Sequence, residues 1–168
     1  MTTKGLISIL ILSVVVLSCD KTKKERPSPL RADSISINSS LLKVEYSSPA
    51  VKSRTIWGEL VPYNQMWRTG ANDASTFSTS GTIKIAGQPI DSGKYAIFTV
   101  PGKESWLVIF NEHWNQWGTY NYDSTLDVAR IKITPRTNAK FSERMEFYFQ
   151  DDSLKFQWEK LAFSLALE

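Results

Sequence analysis

The chain has 168 residues, with 20 Lys and Arg, 17 Asp and Glu, one His and one Cys. One histidine and one cysteine cannot supply a Cys/His zinc site, a disulfide framework or a Cys-x-x-Cys redox pair within one chain. The formal net charge of +3 comes entirely from residues before position 31, where five basic residues outnumber two acidic ones. The rest of the chain is neutral and has no dense basic stripe, which argues against a nucleic-acid partner.

The N-terminus has the features of a lipoprotein signal peptide over residues 1–18. Lys4 precedes an apolar run at residues 6–17, which is well short of the roughly 20 residues needed to cross a bilayer. The run ends in Val16-Leu17-Ser18-Cys19, which resembles the lipobox of bacterial lipoproteins. The resemblance implies cleavage before Cys19 and acylation of its sulfur. The alternative is a free thiol near the end of a hydrophobic helix.

A polar tether, residues 19–30, follows the signal peptide. It contains basic residues and the sequence Pro27-Ser28-Pro29 but no apolar period, so we expect it to be extended and solvated. Its basic side chains can meet anionic lipid headgroups next to an acylated Cys19. We therefore predict a cell-envelope protein with membrane lipid as its partner, lipid-anchored on the periplasmic side of a membrane or at the outer surface.

Residues 31–168 suit a single domain whose dominant period is two. Alternating apolar residues predict half-buried strands at residues 42–46, 129–133, 145–149, 154–158 and 161–167. Residues 94–100 and 105–110 are apolar on both faces and predict a central hairpin. Two short strands that precede it are predicted at residues 82–85 and 88–90. Roughly nine strands without a long helical pattern favour an all-β, antiparallel, jelly-roll-like β-sandwich, with a closed β-barrel as the alternative.

Two long aromatic-rich segments break the strand pattern: the Trp67 loop, residues 54–73, and the Trp117 loop, residues 111–127. Gly58, Pro62 and Gly70 deny the Trp67 loop a long helix, so we expect a short helical turn or two inside a packed loop. Long ordered loops on a rigid sandwich commonly carry binding residues. The two loops are therefore the places to look for a site.

Strings in and between the two loops carry a family resemblance. They are Arg54-x-Ile56-Trp57-Gly58-x-Leu60-Val61-Pro62-Tyr63, Trp67-Arg68-Thr69-Gly70-Ala71-Asn72, Gly93-x-Tyr95, Phe98-x-x-Pro101-Gly102, Ile109-Phe110-Asn111 and Gln116-Trp117-Gly118-x-Tyr120-x-Tyr122. On these strings the chain resembles the domain of unknown function 2911 family from Ser28 to Leu167. The resemblance implies a lipoprotein or secreted protein of the Bacteroidetes or their relatives, and it implies no activity.

The loops supply the groups of a sugar-binding site. Aromatic rings stack on apolar sugar faces, while guanidinium and amide groups hydrogen-bond hydroxyls. The candidate ligand-binding residues are Trp57, Tyr63, Trp67, Arg68, Asn72, Gln116, Trp117 and Tyr120. The alternative is that the three tryptophans are core plugs beneath the loops, with Arg68 held by a cation–π contact or by a carboxylate such as Asp127.

Catalysis has weaker support from the sequence. The loops carry carboxylates, but a glycosidase needs two that face each other across a bond. These carboxylates are Asp73, Glu112, Asp123 and Asp127. His113 has no recognisable nucleophile beside it. The oxygen-rich Trp117 loop lacks an EF-hand pattern, and we assign no catalytic residue, metal or cofactor.

The favoured function is a membrane-anchored binding module for a small polar ligand or glycan. One alternative is an envelope assembly protein that docks a protein partner. A carboxylate-dependent hydrolase is less favoured, and the sequence leaves enzymatic activity open.

Overall fold

The computed structural model describes residues 26–168. The predicted signal peptide and the predicted lipidation site, Cys19, lie outside the described residues. Within these residues the chain forms eleven β-strands and one turn of 3-10 helix, Ser124–Leu126. In chain order the strands are β1 (Leu30–Ile37), β2 (Ser40–Ser47), β3 (Ser75–Thr79), β4 (Ile83–Ile85), β5 (Gln88–Ile90), β6 (Gly93–Val100), β7 (Trp106–Asn111), β8 (Asp127–Ile133), β9 (Ser142–Phe149), β10 (Ser153–Glu159) and β11 (Leu161–Ala166). In this part of the chain no helix is long and apolar enough to span a membrane.

The strands form two main sheets and one small hairpin. Six strands make the larger sheet in the order β1-β2-β3-β6-β7-β8, three make the smaller sheet in the order β11-β10-β9, and β4 pairs with β5. All of these pairings are antiparallel. Neither sheet closes on itself among the described residues. The predicted all-β antiparallel sandwich is confirmed, and the closed alternative is not adopted.

The large core lies between the two sheets. The ring centroids of Tyr46 in β2 and Phe147 in β9 are 5.5 Å apart, and those of Trp106 in β7 and Phe163 in β11 are 5.9 Å apart. The Tyr46 hydroxyl also donates to the Phe147 carbonyl oxygen. Full burial of a large apolar side chain contributes about 1.5–3 kcal/mol, so this aromatic layer is a main source of stability.

A second, smaller core lies on the opposite face of the larger sheet. Ile97 of β6 faces the large core, whereas its neighbours Ala96 and Phe98 belong to the small core. Successive side chains of a strand point to opposite faces, which explains why β6 is apolar on both. Met66 of the Trp67 loop and Tyr122 of the Trp117 loop pack on the small core. Each loop therefore places a residue over the outer face of the larger sheet.

The alternation pattern does not predict β1 or β3. β1 is an edge strand with mostly exposed residues, and it begins at Leu30, which the sequence assigns to the tether. β3 has one apolar residue among four hydroxyl residues, yet it lies between β2 and β6 and is almost wholly buried. Two of its hydroxyl groups are satisfied inside the fold, since Ser75 Oγ donates to the Thr69 carbonyl oxygen at 2.6 Å and Thr79 Oγ1 donates to the Gly81 carbonyl oxygen at 2.7 Å.

The Trp67 loop contains turns and isolated bridges, and the expected helical turn is wrong. Its backbone pairs with the end of β6 instead, because Trp67 and Thr99 exchange N–H···O bonds of 2.8 and 2.9 Å. Gly58 has φ +90°, and a Cβ there would lie 2.9 Å from the Tyr63 ring. Only glycine fits this conformation and this contact. The pairing with β6 satisfies backbone groups that a helix would otherwise satisfy.

Candidate functional site

The Trp67 loop and the Trp117 loop meet through their backbones. Ala74, just after the first loop, donates its N–H to the Gln116 carbonyl oxygen at 3.1 Å, and Gly118 donates to that of Asn72 at 3.3 Å. Asp73 and Trp117 form an isolated bridge between these contacts. Sequence spacing cannot show this contact, because the two loops belong to distant parts of the chain. The pairing brings one group of predicted site residues together: Arg68, Asn72, Gln116, Trp117 and Tyr120.

Trp57 and Trp67 lie elsewhere, packed against the large core. The Trp57 ring centroid is 4.9 Å from that of Trp106 and 5.7 Å from that of Trp158. The Trp67 ring stacks on Trp158 at 5.8 Å with 22° between the planes. This packing agrees with the alternative that both residues are core plugs. Their role in binding stays a prediction.

Tyr63, Asn72 and Gln116 are held by local contacts. The Tyr63 ring lies against Gly58 within the Trp67 loop. Asn72 has φ +62°, which asparagine tolerates, and its Nδ2 donates to Ser47 Oγ at 3.3 Å. Gln116 is 5% exposed and donates from Nε2 to the His113 carbonyl oxygen, while its Oε1 is buried without a donor. Gln116 therefore closes the Trp117 loop on itself.

Trp117 and Tyr120 form an exposed pair of stacked rings. Their centroids are 5.7 Å apart with 7° between the planes, and the residues are 58% and 80% exposed. Gly118 between them has φ +68°, and a Cβ there would lie 3.0 Å from the Tyr120 ring. A glycine is needed at this turn because it lets the chain fold Tyr120 back onto Trp117.

Arg68 lies beside this exposed pair; it is itself half-buried, and its guanidinium carbon lies 6.0 Å from the Trp117 ring centroid. We call Arg68, Trp117 and Tyr120 the Arg68 surface. Trp67 and Arg68 are adjacent in sequence, yet one packs on the large core and the other reaches the Trp117 ring. Strand-like alternation beside β6 explains the separation. Burial lowers the pKa of Arg68, and the charges of Tyr120 and Asp73 oppose this shift.

A groove of about 220 Å³ lies next to the Arg68 surface; we call it the Lys94 groove, and Asp73, Gln116 and Trp114 are among the residues that line it. Lys94 Nζ lies 4.6 Å from the Trp114 ring centroid and 3.1 Å from Glu45 Oε2. The hydrogen bond from Lys43, at 2.8 Å, is the largest cause that lowers the pKa of Glu45, and Lys94 adds to it. Glu45 and Lys94 of this groove are therefore paired with one another, whereas Asp73 lies at the surface.

Sequence reasoning missed Glu45, Lys94 and Trp114. The signal that points to them is a charged residue at the start of an otherwise apolar central strand, β6. The strand register places Lys43, Ser78 and Lys94 in one row across β2, β3 and β6. Lys43 therefore reaches Glu45 from two residues earlier in β2, and Lys94 reaches it from β6, across β3.

The carboxylate of Asp127 holds the ends of the Trp117 loop together. Its side chain is 3% exposed and accepts hydrogen bonds from Asn111 Nδ2 at 2.8 Å, from the Tyr122 hydroxyl at 2.7 Å and from Arg130. We call these four residues the Asp127 network. The ion-pair partner of Asp127 is therefore Arg130, and the suggested pairing with Arg68 is wrong. Burial first, and then the hydrogen bond to Asp127, raise the pKa of Tyr122.

The remaining carboxylates of the loops are exposed. Asp123 caps the 3-10 turn, where it accepts from the Thr125 N–H at 2.9 Å, and Asp73 and Glu112 lie at the surface. Among residues 26–168, no group of three or more His, Cys, Asp and Glu side chains is arranged to hold a metal ion.

These features define an all-β sandwich protein with a half-buried cation beside two exposed, stacked aromatic rings. The family model described as "Protein of unknown function (DUF2911)" matches residues 28–167, and the chain belongs to that family. The family resemblance carried by the two loops is thus confirmed, while the bacterial lineage that it implies stays a prediction. No curated protein and no solved structure matches the chain.

Proposed function

We propose that this protein is a cell-envelope binding module, anchored to a membrane through acylated Cys19, that takes a small polar ligand or glycan on the Arg68 surface. The observation that carries the proposal is the exposed ring pair of Trp117 and Tyr120, stacked within 7° of parallel. Tryptophan and tyrosine usually bury most of their area, so a large exposed pair marks a surface suited to a partner.

The geometry of the pair suits a sugar better than a purely apolar ligand. Ring faces complement the C–H faces of a sugar, and the guanidinium of Arg68 can donate to its oxygens. Backbone hydrogen bonds on both sides of Trp117 fix the loop before any ligand arrives. A site fixed in advance loses less conformational entropy on binding.

The test is a thermal-shift screen of the full-length chain in detergent against oligosaccharides and cell-wall fragments. A ligand at about 100 times its Kd stabilises the fold by roughly 2.7 kcal/mol, which is several degrees for a domain of this size. We expect Trp117→Ala to remove the shift at an unchanged melting temperature without ligand. Phe141→Ala is the matched control, because Phe141 is an aromatic residue 49% exposed outside the surface. A full shift in Trp117→Ala would refute the site.

A second candidate is an envelope assembly protein that docks a protein partner beside the same surface. The observation that favours it is the exposure of two apolar side chains along the Lys94 groove, Leu30 at 66% and Trp114 at 41%. A photo-crosslinking residue at position 114 would then trap one stoichiometric partner in intact cells. Sugar binding without a trapped partner would decide for the first candidate.

The less favoured hydrolase is tested by turnover of the same sugars. Asp73→Asn and Asp127→Asn should abolish turnover if these carboxylates act on a substrate. Full turnover in both variants would remove them from that role.

The lipid anchor is tested separately. We expect Cys19→Ala to release the protein from membranes, measured by fractionation of intact cells. Tight membrane association of the variant would contradict the anchor.

A further inference from the structure

Arg68 is unusual among the arginines of the described chain. Of the two that are partly buried, Arg144 donates to the carbonyl oxygens of Ser48 and Pro27, whereas Arg68 donates to none. Its Nε is fully buried without an acceptor. Its terminal nitrogens are not fully buried and have no hydrogen-bond partner among residues 26–168. The guanidinium is therefore a partly desolvated cation with free donors.

Such an arrangement is costly without a partner. A buried charge loses hydration, and hydrogen bonds or an opposite charge normally compensate for this loss. Trp117 offers only a cation–π contact at 6.0 Å, and the exposed Asp73 acts on Arg68 through its charge without a hydrogen bond. The planar guanidinium fork matches a carboxylate or phosphate better than it matches a neutral hydroxyl.

We propose that the Arg68 surface selects acidic sugars, in which a carboxylate or phosphate binds Arg68 while the sugar ring lies against Trp117 and Tyr120. The inference rests on the proposed function and adds the charge of the ligand to it. The Lys94 groove next to it is the less suitable anion site, because Lys94 and Lys43 both bind Glu45 there.

The experiment measures binding of five probes to the full-length chain in detergent by titration calorimetry. The probes are glucose, galactose, glucuronate, galacturonate and glucose 6-phosphate, with inorganic phosphate as a sixth that lacks a sugar ring. We expect at least one acidic sugar to bind about tenfold or more tighter than its neutral counterpart and than inorganic phosphate. Comparing the affinities for the uronates with that for glucose 6-phosphate distinguishes a carboxylate ligand from a phosphate ligand.

Four variants test whether the preference depends on Arg68. Arg68→Gln should lower affinity for the acidic sugar to that of the neutral one, and Arg68→Lys should restore part of it. Arg136→Gln, which removes an exposed arginine outside the surface, should leave the preference intact. Asp73→Asn removes the carboxylate whose charge acts on Arg68 and should tighten binding of the acidic sugar. The hydrolase alternative instead predicts loss of activity in the same variant. Melting temperatures of all variants control for folding.

The outcomes separate the two proposals. Equal affinity for neutral and acidic sugars, with Trp117→Ala abolishing both, would overturn the charge preference and leave the binding module standing. A preference that persists in folded Arg68→Gln would also overturn it. Binding of inorganic phosphate as tight as that of glucose 6-phosphate would remove the role of the rings. No binding by any probe would overturn both proposals.

Discussion

The Trp67 loop and the Trp117 loop are similar in composition and use their aromatic residues in opposite ways. The Trp67 loop places Trp57 and Trp67 against the large core, where they contact Trp106 and Trp158. The Trp117 loop leaves Trp117 and Tyr120 in solvent. Each loop is therefore stabilised by different means, and of the two only the Trp117 loop leaves large aromatic rings mostly in solvent.

The Asp127 network explains why the rings of the Trp117 loop need not support the fold. Asp127 binds Asn111 at one end of the loop, Tyr122 within it and Arg130 just beyond it. These polar contacts, together with packing of Tyr122 on Phe98, fix the loop. The comparison teaches that exposed aromatic residues become available for binding where other groups hold the backbone.

The largest loss of stability is expected from the core-packed tryptophans of the Trp67 loop. Trp67→Ala should lower the free energy of unfolding by about 3 kcal/mol, because it leaves a cavity beside Trp158 and removes a large apolar side chain. Urea denaturation of the full-length chain measures the loss. Stability close to wild type would mean that backbone pairing with β6 holds the Trp67 loop without its tryptophan.

A smaller loss of stability is expected when the Asp127 network is disrupted. Asp127→Ala should lower the free energy of unfolding by about 2 kcal/mol, since Asn111 is buried and loses an acceptor while the half-exposed Arg130 can be hydrated. Asp123→Ala is the matched control, because Asp123 is an exposed carboxylate in the same loop and should cost much less. Equal losses in the two variants would contradict the role given to the network.

The network should also respond to alkaline pH. The pKa of Tyr122 is raised in the folded chain, so the unfolded chain releases this proton first, and stability falls as pH rises above the ordinary tyrosine value of 10.0. Burial raises the pKa of Tyr46 and Tyr95 as well, so the fall has several contributors. Tyr122→Phe should make the slope of stability against pH shallower. A slope identical to wild type would show that Tyr122 does not contribute to the loss of stability at alkaline pH.

The smallest effect on stability is expected at the exposed rings. Trp117→Ala and Tyr120→Ala should each change the free energy of unfolding by no more than about 0.5 kcal/mol, because both residues are mostly in solvent. Urea denaturation of these variants and of Trp67→Ala under the same conditions compares the exposed and the core-packed rings directly. A loss as large as that of Trp67→Ala would show that the ring pair supports the fold and would weaken the case for binding.

Alternation predicted most of the sandwich because a half-buried strand must place apolar residues on one face. All nine predicted strands are present. Between β9 and β10 the chain turns at Asp151 and Asp152, which have φ values of +50° and +47°. β3 does not follow the pattern because it buries hydroxyl residues, two of which, Ser75 and Thr79, donate to carbonyl oxygens inside the fold. β1 escaped because an edge strand exposes most of its residues.

The candidate site was only partly predictable for a related reason. The sequence marked both loops as rich in aromatic and polar groups, and the eight predicted residues lie in them. It could not separate Trp67 from Arg68, because their fates depend on pairing with β6 and on contacts with Trp158 and Trp117. It also could not choose Arg130 over Arg68 as the partner of Asp127.

By itself, the sequence determined the all-β class, the central hairpin of β6 and β7, and the family. Local periodicity and characteristic strings carry that information. Only the tertiary structure decided which tryptophans are buried, that the two loops meet, and that Arg68 is left without an acceptor while Lys94 and Arg130 are paired. The physical reason is that burial and pairing of a loop side chain depend on groups far away in the chain, whereas the two-residue period of a strand is local.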